Sequence, residues 1–96
     1  MKLETLLDIG KELPRIPAGA KGVEIKGCAS RVEIYKDANG RLYGTADSAI
    51  VRGIVTLLLA MKSENIDLDE FNTFNLNLGA GRLNGAAAVI EYLKAL

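Results

Sequence analysis

The residue best suited to covalent chemistry in this chain of 96 residues is its single cysteine, Cys28. It lies in the segment KGCASR, residues 26–31, after one stretch of alternating apolar and polar residues and before another. This position predicts a turn, where small neighbours leave the sulfur approachable and cations within three residues could stabilise a thiolate. A small buried core residue is the alternative interpretation of an unpaired cysteine.

The chain contains no histidine, and this excludes several kinds of chemistry. Ser-His-Asp and Cys-His nucleophilic sites, the HExxH zinc helix and an imidazole base all need this residue. One cysteine without histidine also cannot supply the ligands of a structural zinc or of an iron-sulfur cluster, so we expect no metal site. Thiol exchange is the chemistry that remains possible for Cys28, because a thiolate that attacks another sulfur needs little more than access and a good leaving group.

Three polar residues elsewhere are candidates for binding. Asn84 stands where a GxGxxG phosphate loop would have its last glycine, and no βαβ unit precedes it, so residues 79–85 predict only a glycine-rich start of a helix. Arg82 would then oppose the helix dipole at a cost of about 0.3–1 kcal/mol, which suggests a carboxylate partner; a solvated arginine is the alternative. Asp47 is predicted to cap the central helix, with pairing to Arg82 or Arg52 as the alternative.

Hydrophobic periodicity predicts the elements that position these residues. Leucines at helical spacing before Pro14 predict an amphipathic first helix. Period-two alternation predicts strands at residues 23–26, 32–34 and 41–43, the last two joined by a tight turn at Asn39-Gly40.

Three helical segments follow these strands. Asp47-Ser48 can begin a long, largely buried helix, and residues 65–78 predict a short helix and connector, with Asp67 or Asp69 as a cap. The inner face of the last helix is predicted to carry Leu83, Ala86, Ala87, Ile90 and Leu93. The order αβββααα predicts an α+β domain in which helices flank a small three-stranded antiparallel sheet.

Length and composition limit the remaining possibilities. The 96 residues predict one domain, residues 1–96. Twelve Lys and Arg balance twelve Asp and Glu with no basic run, so nucleic acid is not an expected partner. No apolar run approaches the roughly 20 residues of a membrane span, and the first segment does not resemble a signal peptide. We therefore predict a soluble, cytoplasmic protein whose thiol is kept reduced.

Four separated motifs together resemble the SufE family of sulfur acceptors for cysteine desulfurases. They are LLDIGKELP at residues 6–14, IKGCASRV at 25–32, ADSAIVRG at 46–53 and GRLNG at 81–85. The family patterns are Gly-Cys-x-Ser-x-Val, Asp-Ser-Asp-Ala-x-Ile-Val-x-Gly and, at the last helix, Ser-Arg-x-x-Gly. The order and spacing of the motifs cover most of the chain.

The resemblance implies the α+β fold of SufE and IscU-like proteins and makes Cys28 the thiol that receives a persulfide sulfur. The implied donor is a pyridoxal-phosphate cysteine desulfurase of the SufS type, and the implied acceptor is an iron-sulfur scaffold. The protein would stimulate the desulfurase without turnover of its own and would need no cofactor. The positions expected to contact the partner are Gly27, Ala29, Ser30, Asp47, Arg82 and Asn84.

The chain departs from the family pattern at several points. It is shorter than typical members, Ala29 replaces the usual Gln, and Glu33 replaces the usual Trp. The helix motif is compressed at residues 47–49, and NLGAGR at residues 77–82 replaces His-Leu-Thr-Pro-Ser-Arg. One alternative is a docking module that regulates a desulfurase without carrying sulfur. A cluster scaffold is the other, but it needs more ligands than one cysteine provides.

Overall fold

The computed structural model describes residues 3–11, 15–27, 31–74 and 80–96, with the backbone alone for residues 3, 72–74 and 80–84. The elements in these ranges follow the predicted order αβββααα and form an α+β fold. The helices are α1 (Leu3–Gly10), α2 (Ala49–Ser63) and α3 (Ala80–Lys94), with a 3₁₀ helix at Leu68–Phe74 between the last two. The strands are β1 (Lys21–Glu24), β2 (Val32–Lys36) and β3 (Leu42–Ala46).

The three strands form an antiparallel sheet in the order β1-β2-β3. Period-two alternation buries Val32 and Ile34 of β2 and leaves Glu33 and Tyr35 on the opposite face. Ile34 pairs with Gly44 of β3, and the absence of a side chain at Gly44 lets α2 lie close to the strand. The core therefore lies between α2 and one face of the sheet.

The first strand differs from its prediction. It spans Lys21–Glu24 rather than residues 23–26, although the Ile25 N–H still donates to the Val32 carbonyl at 2.8 Å. Val23 is 48% exposed even though its register partner Ile34 is buried. Within the described residues the backbone of β1 packs against β2 alone, so alternation does not bury Val23.

The turn between β2 and β3 is organised by Asp37. Its Oδ1 accepts the N–H groups of Asn39 and Arg41, both at 2.9 Å. Both bonds lower the pKa of the Asp37 carboxyl, and the bond from the Arg41 N–H has the larger effect. Only Gly40 has a positive φ here, at 84°. A two-residue type I′ turn would need a positive φ at Asn39 as well, so the connection is a longer turn that ends at a left-handed glycine.

The cap of α2 corrects one prediction. Ser48, not Asp47, is the N-cap: its backbone is extended, and its Oγ accepts the Val51 N–H at 3.5 Å. Asp47 instead continues the pairing of β3, because its N–H donates to the Arg31 carbonyl at 3.2 Å. The buried face of α2 agrees with the prediction and includes Ile54, Leu58 and Met61.

The inner face of α3 also differs in part. Ala86, Ile90 and Leu93 are buried as predicted, but Ala87 is exposed and Val89 takes its place. Ala86, Val89, Ile90 and Leu93 follow the helical spacing i, i+3, i+4, i+7, which excludes Ala87. The side chain of Leu83 lies outside the described part of the chain.

The segment before α3 is a 3₁₀ helix within the short helix and connector that were predicted. Leu68 and Phe71 are buried, and Asp67 caps the helix by accepting the Asp69 N–H at 3.0 Å. Asp69 pairs with Lys94 of α3 at 3.2 Å. Among the residues that the structure describes, no helix has the length and apolar character to cross a membrane.

Candidate functional site

The connection between β1 and β2 carries the predicted nucleophile. β1 ends at Glu24 and β2 begins at Val32, so Cys28 lies between two paired strands, as the sequence predicted. The chain turns at Lys26-Gly27, where Gly27 has a φ of 90° that favours glycine. Residues 28–30, with Cys28, Ala29 and Ser30, lie outside the described residues, and the roles proposed for them stay predictions.

Both ends of this connection lie near other elements. On the β1 side, a Cβ at Gly27 would lie 3.5 Å from the Cβ of Ala88, so this turn passes α3 with room for one methyl group between them. On the β2 side, the Arg31 carbonyl accepts the N–H of Asp47, directly before the N-cap of α2. Two of the predicted contact positions, Gly27 and Asp47, therefore flank the cysteine segment from opposite sides.

The cations near Cys28 have acidic partners. Lys26 Nζ lies 3.0 Å from Glu24 Oε2, and the hydrogen bond from Lys26 lowers the pKa of the Glu24 carboxyl. Arg31 Nε lies 3.7 Å from Glu33 Oε1. Glu24 and Glu33 are register partners on β1 and β2. Two positive and two negative side chains therefore lie beside the connection, with no net charge. Lys26 and Arg31, which were predicted to stabilise a thiolate, are therefore each paired with a carboxylate.

Arg82 and Asn84 both belong to α3. The helix begins at Ala80, so Arg82 is in its first turn as predicted, and that turn contains no acidic residue to offset it. Arg82 precedes Ala88 by six residues, about 9 Å along the helix axis at 1.5 Å per residue. The side chains of Arg82 and Asn84 lie outside what the structure describes, so the pairing of Arg82 with Asp47 stays a prediction.

Sequence reasoning did not predict that Ala88 is the α3 residue near the Gly27 turn. It lies in the run Ala86-Ala87-Ala88, whose three identical side chains give no signal of which one faces a neighbour. Only the path of α3 past the β1–β2 turn distinguishes Ala88 from the exposed Ala87.

Comparisons with known proteins agree with the resemblance of the sequence motifs. The family profile "SufE: Fe-S metabolism associated domain" matches residues 1–96. An uncharacterised SufE-like protein of Rhizobium meliloti (strain 1021) is 32% identical over 109 aligned positions, which cover 94% of this chain and 78% of the relative. A second, from Rhizobium etli, is 30% identical over 108 positions, covering 93% and 73%.

Fold and profile together define a domain associated with Fe-S metabolism. The chain belongs to the SufE family. The alignments are longer than the 96 residues of this chain, so the chain has gaps opposite some residues of its relatives. This agrees with the expectation, from the motifs, that the chain is shorter than typical family members.

Proposed function

We propose that the protein is a sulfur acceptor that takes persulfide sulfur on Cys28 from a cysteine desulfurase and passes it to iron-sulfur cluster assembly in the cytoplasm. The proposal is supported by the position of Cys28 in the sequence relative to the described elements. The only cysteine of a SufE-family chain belongs to the β1–β2 connection, after Gly27, which lies near α3, and before Arg31, whose carbonyl accepts the Asp47 N–H. A connection between strands can present a thiol to a partner, whereas a core position would not.

The proposed step is a thiol–persulfide exchange. The Cys28 thiolate attacks the outer sulfur of the donor persulfide, a new S–S bond forms at Cys28, and the S–S bond of the donor breaks. The electron pair of that bond leaves with the donor cysteine as a thiolate, so no oxidant or reductant is consumed. A second exchange at the scaffold releases the sulfur and regenerates the Cys28 thiolate.

The partner supplies the remaining chemistry. The chain has no histidine to act as a base, and exchange between sulfurs needs none. Pyridoxal phosphate belongs to the desulfurase, and removal of its persulfide raises its turnover without turnover by the acceptor itself. Gly27, Ala29, Ser30, Asp47, Arg82 and Asn84 are the proposed contacts with this partner.

The test is a mass measurement on the intact protein. The purified chain is incubated with cysteine and with the desulfurase encoded by the same genome, and its mass should rise by one sulfur atom located at Cys28. The gain should be absent without cysteine, and dithiothreitol should remove it. Faster desulfurase turnover with no sulfur on Cys28 would contradict the proposal and favour the docking module.

Replacing Arg82 with alanine should weaken binding to the desulfurase more than it lowers stability. Arginine is enriched among the minority of interface residues whose truncation costs more than about 1 kcal/mol, so we expect Kd to rise about tenfold. Surface substitutions change folding free energy by only about 0.5 kcal/mol, so Tm should shift by less than about 4 °C. Calorimetric titration and thermal melts measure both effects.

The matched control is Arg15→Ala, which removes an exposed arginine far from the last helix in the sequence. It should leave both Kd and Tm unchanged. A large fall in Tm with unchanged Kd for Arg82→Ala would make Arg82 a structural residue.

A further inference from the structure

β1 is an edge strand of the sheet, and half of its backbone groups point away from β2. In an antiparallel pair, alternate residues exchange hydrogen bonds with the neighbouring strand. Ile25 donates to Val32 at 2.8 Å, so the odd-numbered residues of β1 face β2. The N–H and C=O groups of Gly22 and Glu24 therefore lie on the outer side, and within the described residues no hydrogen bond uses them. Such an edge can pair with a further strand.

A large apolar side chain accompanies these free backbone groups. Val23 is 48% exposed on the same face of the sheet as its buried register partner Ile34. Among the described elements, α2 packs against β3 rather than β1, and only β2 contacts β1. All four residues of β1 are exposed. An added strand would therefore meet both the free backbone groups and the valine.

The segment that contains this edge is symmetric about Val23. It lies between two glycines with positive φ, Gly19 at 88° and Gly27 at 90°, each four residues from Val23. A second copy of the chain that runs antiparallel, with its Val23 opposite the first, would pair over the same length. The turns of each copy would then lie at the ends of the paired segment.

The free groups also select the register. With Val23 opposite Val23, Gly22 of each copy pairs with Glu24 of the other, which gives four hydrogen bonds between the copies. If Gly22 lay opposite Gly22, the pairing would need the Ala20 N–H, which already donates to the Pro17 carbonyl at 3.2 Å. If Glu24 lay opposite Glu24, two like charges would meet directly. The register centred on Val23 avoids both conflicts and removes the valine from water.

We propose that the β1 edge is a self-association surface, at which two copies of this chain pair β1 with β1, antiparallel and centred on Val23. Two short strands and one valine pair form an interface smaller than the roughly 1,200 Å² of stable complexes, so the dimer is weak and reversible. The pairing places the two Gly27 turns at opposite ends of the joined strands. It does not depend on the proposed function.

Sedimentation equilibrium of the full chain tests the dimer. The weight-average mass should rise from 10.3 kDa toward twice that value as the concentration increases from about 10 μM to about 1 mM. Val23→Lys should abolish the rise, because two ammonium groups would meet across the two-fold axis. The matched control is Leu96→Lys, since Leu96 is similarly exposed, at 50%, and lies outside the sheet. It should associate like the wild type.

Two results of this measurement would overturn the inference. One is a wild-type mass of 10.3 kDa at every concentration. The other is equal association of Val23→Lys and the wild type. Thermal melts check that each variant folds, and if Val23→Lys does not, a disulfide test decides instead.

The disulfide test also examines the register. In a Cys28→Ser background, Val23→Cys should form a covalent dimer in oxidised glutathione, because opposed Cα atoms of a non-hydrogen-bonded pair lie about 4.5 Å apart, within disulfide range. Lys21→Cys is the control on the same face of β1. The proposed register separates two cysteines at position 21 by about 14 Å along the strands, too far for a disulfide. No covalent dimer with Val23→Cys, or equal amounts with both variants, would overturn the inference.

Discussion

Replacing Cys28 with serine should abolish sulfur acceptance and remove the stimulation of desulfurase turnover, while Tm stays close to the wild-type value. A serine hydroxyl is not ionised near neutral pH and cannot attack a persulfide sulfur to form an S–S bond. Among the described residues, backbone hydrogen bonds from Ile25 to Val32 and from Asp47 to Arg31 hold the two ends of the connection. The substitution leaves these bonds unchanged, so the hairpin should stay intact.

Intact-protein mass and desulfurase turnover measure the two losses. Ala38→Ser is the matched control, because it introduces the same side chain on the exposed turn between β2 and β3, outside the proposed contacts, and keeps the thiol. It should accept sulfur at a rate close to the wild type. If Cys28→Ser and the wild type stimulate desulfurase turnover equally, the acceptor hypothesis is wrong and the protein acts by docking.

The sequence predicted the order of elements because each change of period coincides with a change of structure. Helical spacing identified the buried face of α2, including Ile54, Leu58 and Met61, and alternation identified the inward residues of β2. Alternation shows which side chains share a face, but not whether another element covers that face. Val23 is exposed for this reason, since β1 packs only against β2 in the described part of the chain.

The remaining differences depend on tertiary contacts. Asp47 and Ser48 are both favourable N-cap residues. Ser48 is the cap because the N–H of Asp47 still donates to the Arg31 carbonyl beside the sheet. In α3 the alanine run gives a weak hydrophobic pattern, so packing against the other helices selects Val89 rather than Ala87 for the core.

The candidate site could likewise be predicted only where the local sequence determines the structure. The turn before Cys28 followed from local composition, because Gly27 tolerates the positive φ that the turn adopts. Its proximity to Ala88 brings together residues far apart in the chain, and no local pattern indicates it. The pairing of Lys26 and Arg31 with carboxylates likewise depends on the register of β1 and β2.

The glycine that ends the ADSAIVRG motif has a structural explanation. A Cβ on Gly53 would overlap the carbonyl oxygen of Leu6, and a Cβ on Gly10 would lie 2.9 Å from the Gly53 nitrogen. The backbones of α1 and α2 therefore touch at these two glycines. Leu6 is fully buried at this crossing, and α1 packs against α2 alone within the described residues. This part of the motif maintains helix packing rather than contact with a partner.

Gly53→Ala should therefore destabilise the protein strongly, although alanine is the better helix former by about 1 kcal/mol. The added methyl meets main-chain atoms of Leu6, which cannot move aside without displacing α1 from its only described packing surface. Overpacking costs about 1–3 kcal/mol and more where the neighbour is rigid. The net loss of about 2 kcal/mol should lower Tm by about 8–16 °C for a chain of this size.

Ala60→Gly on the exposed face of the same helix separates helix propensity from packing in thermal melts. It removes a methyl group where none is crowded, and should lower Tm by about 4–8 °C through propensity alone. If propensity dominated at both positions, Gly53→Ala would raise Tm by a similar amount. A rise would show that α1 and α2 are not in backbone contact at Gly53, whereas a fall larger than that of Ala60→Gly requires the contact, because propensity acts in the opposite direction at Gly53.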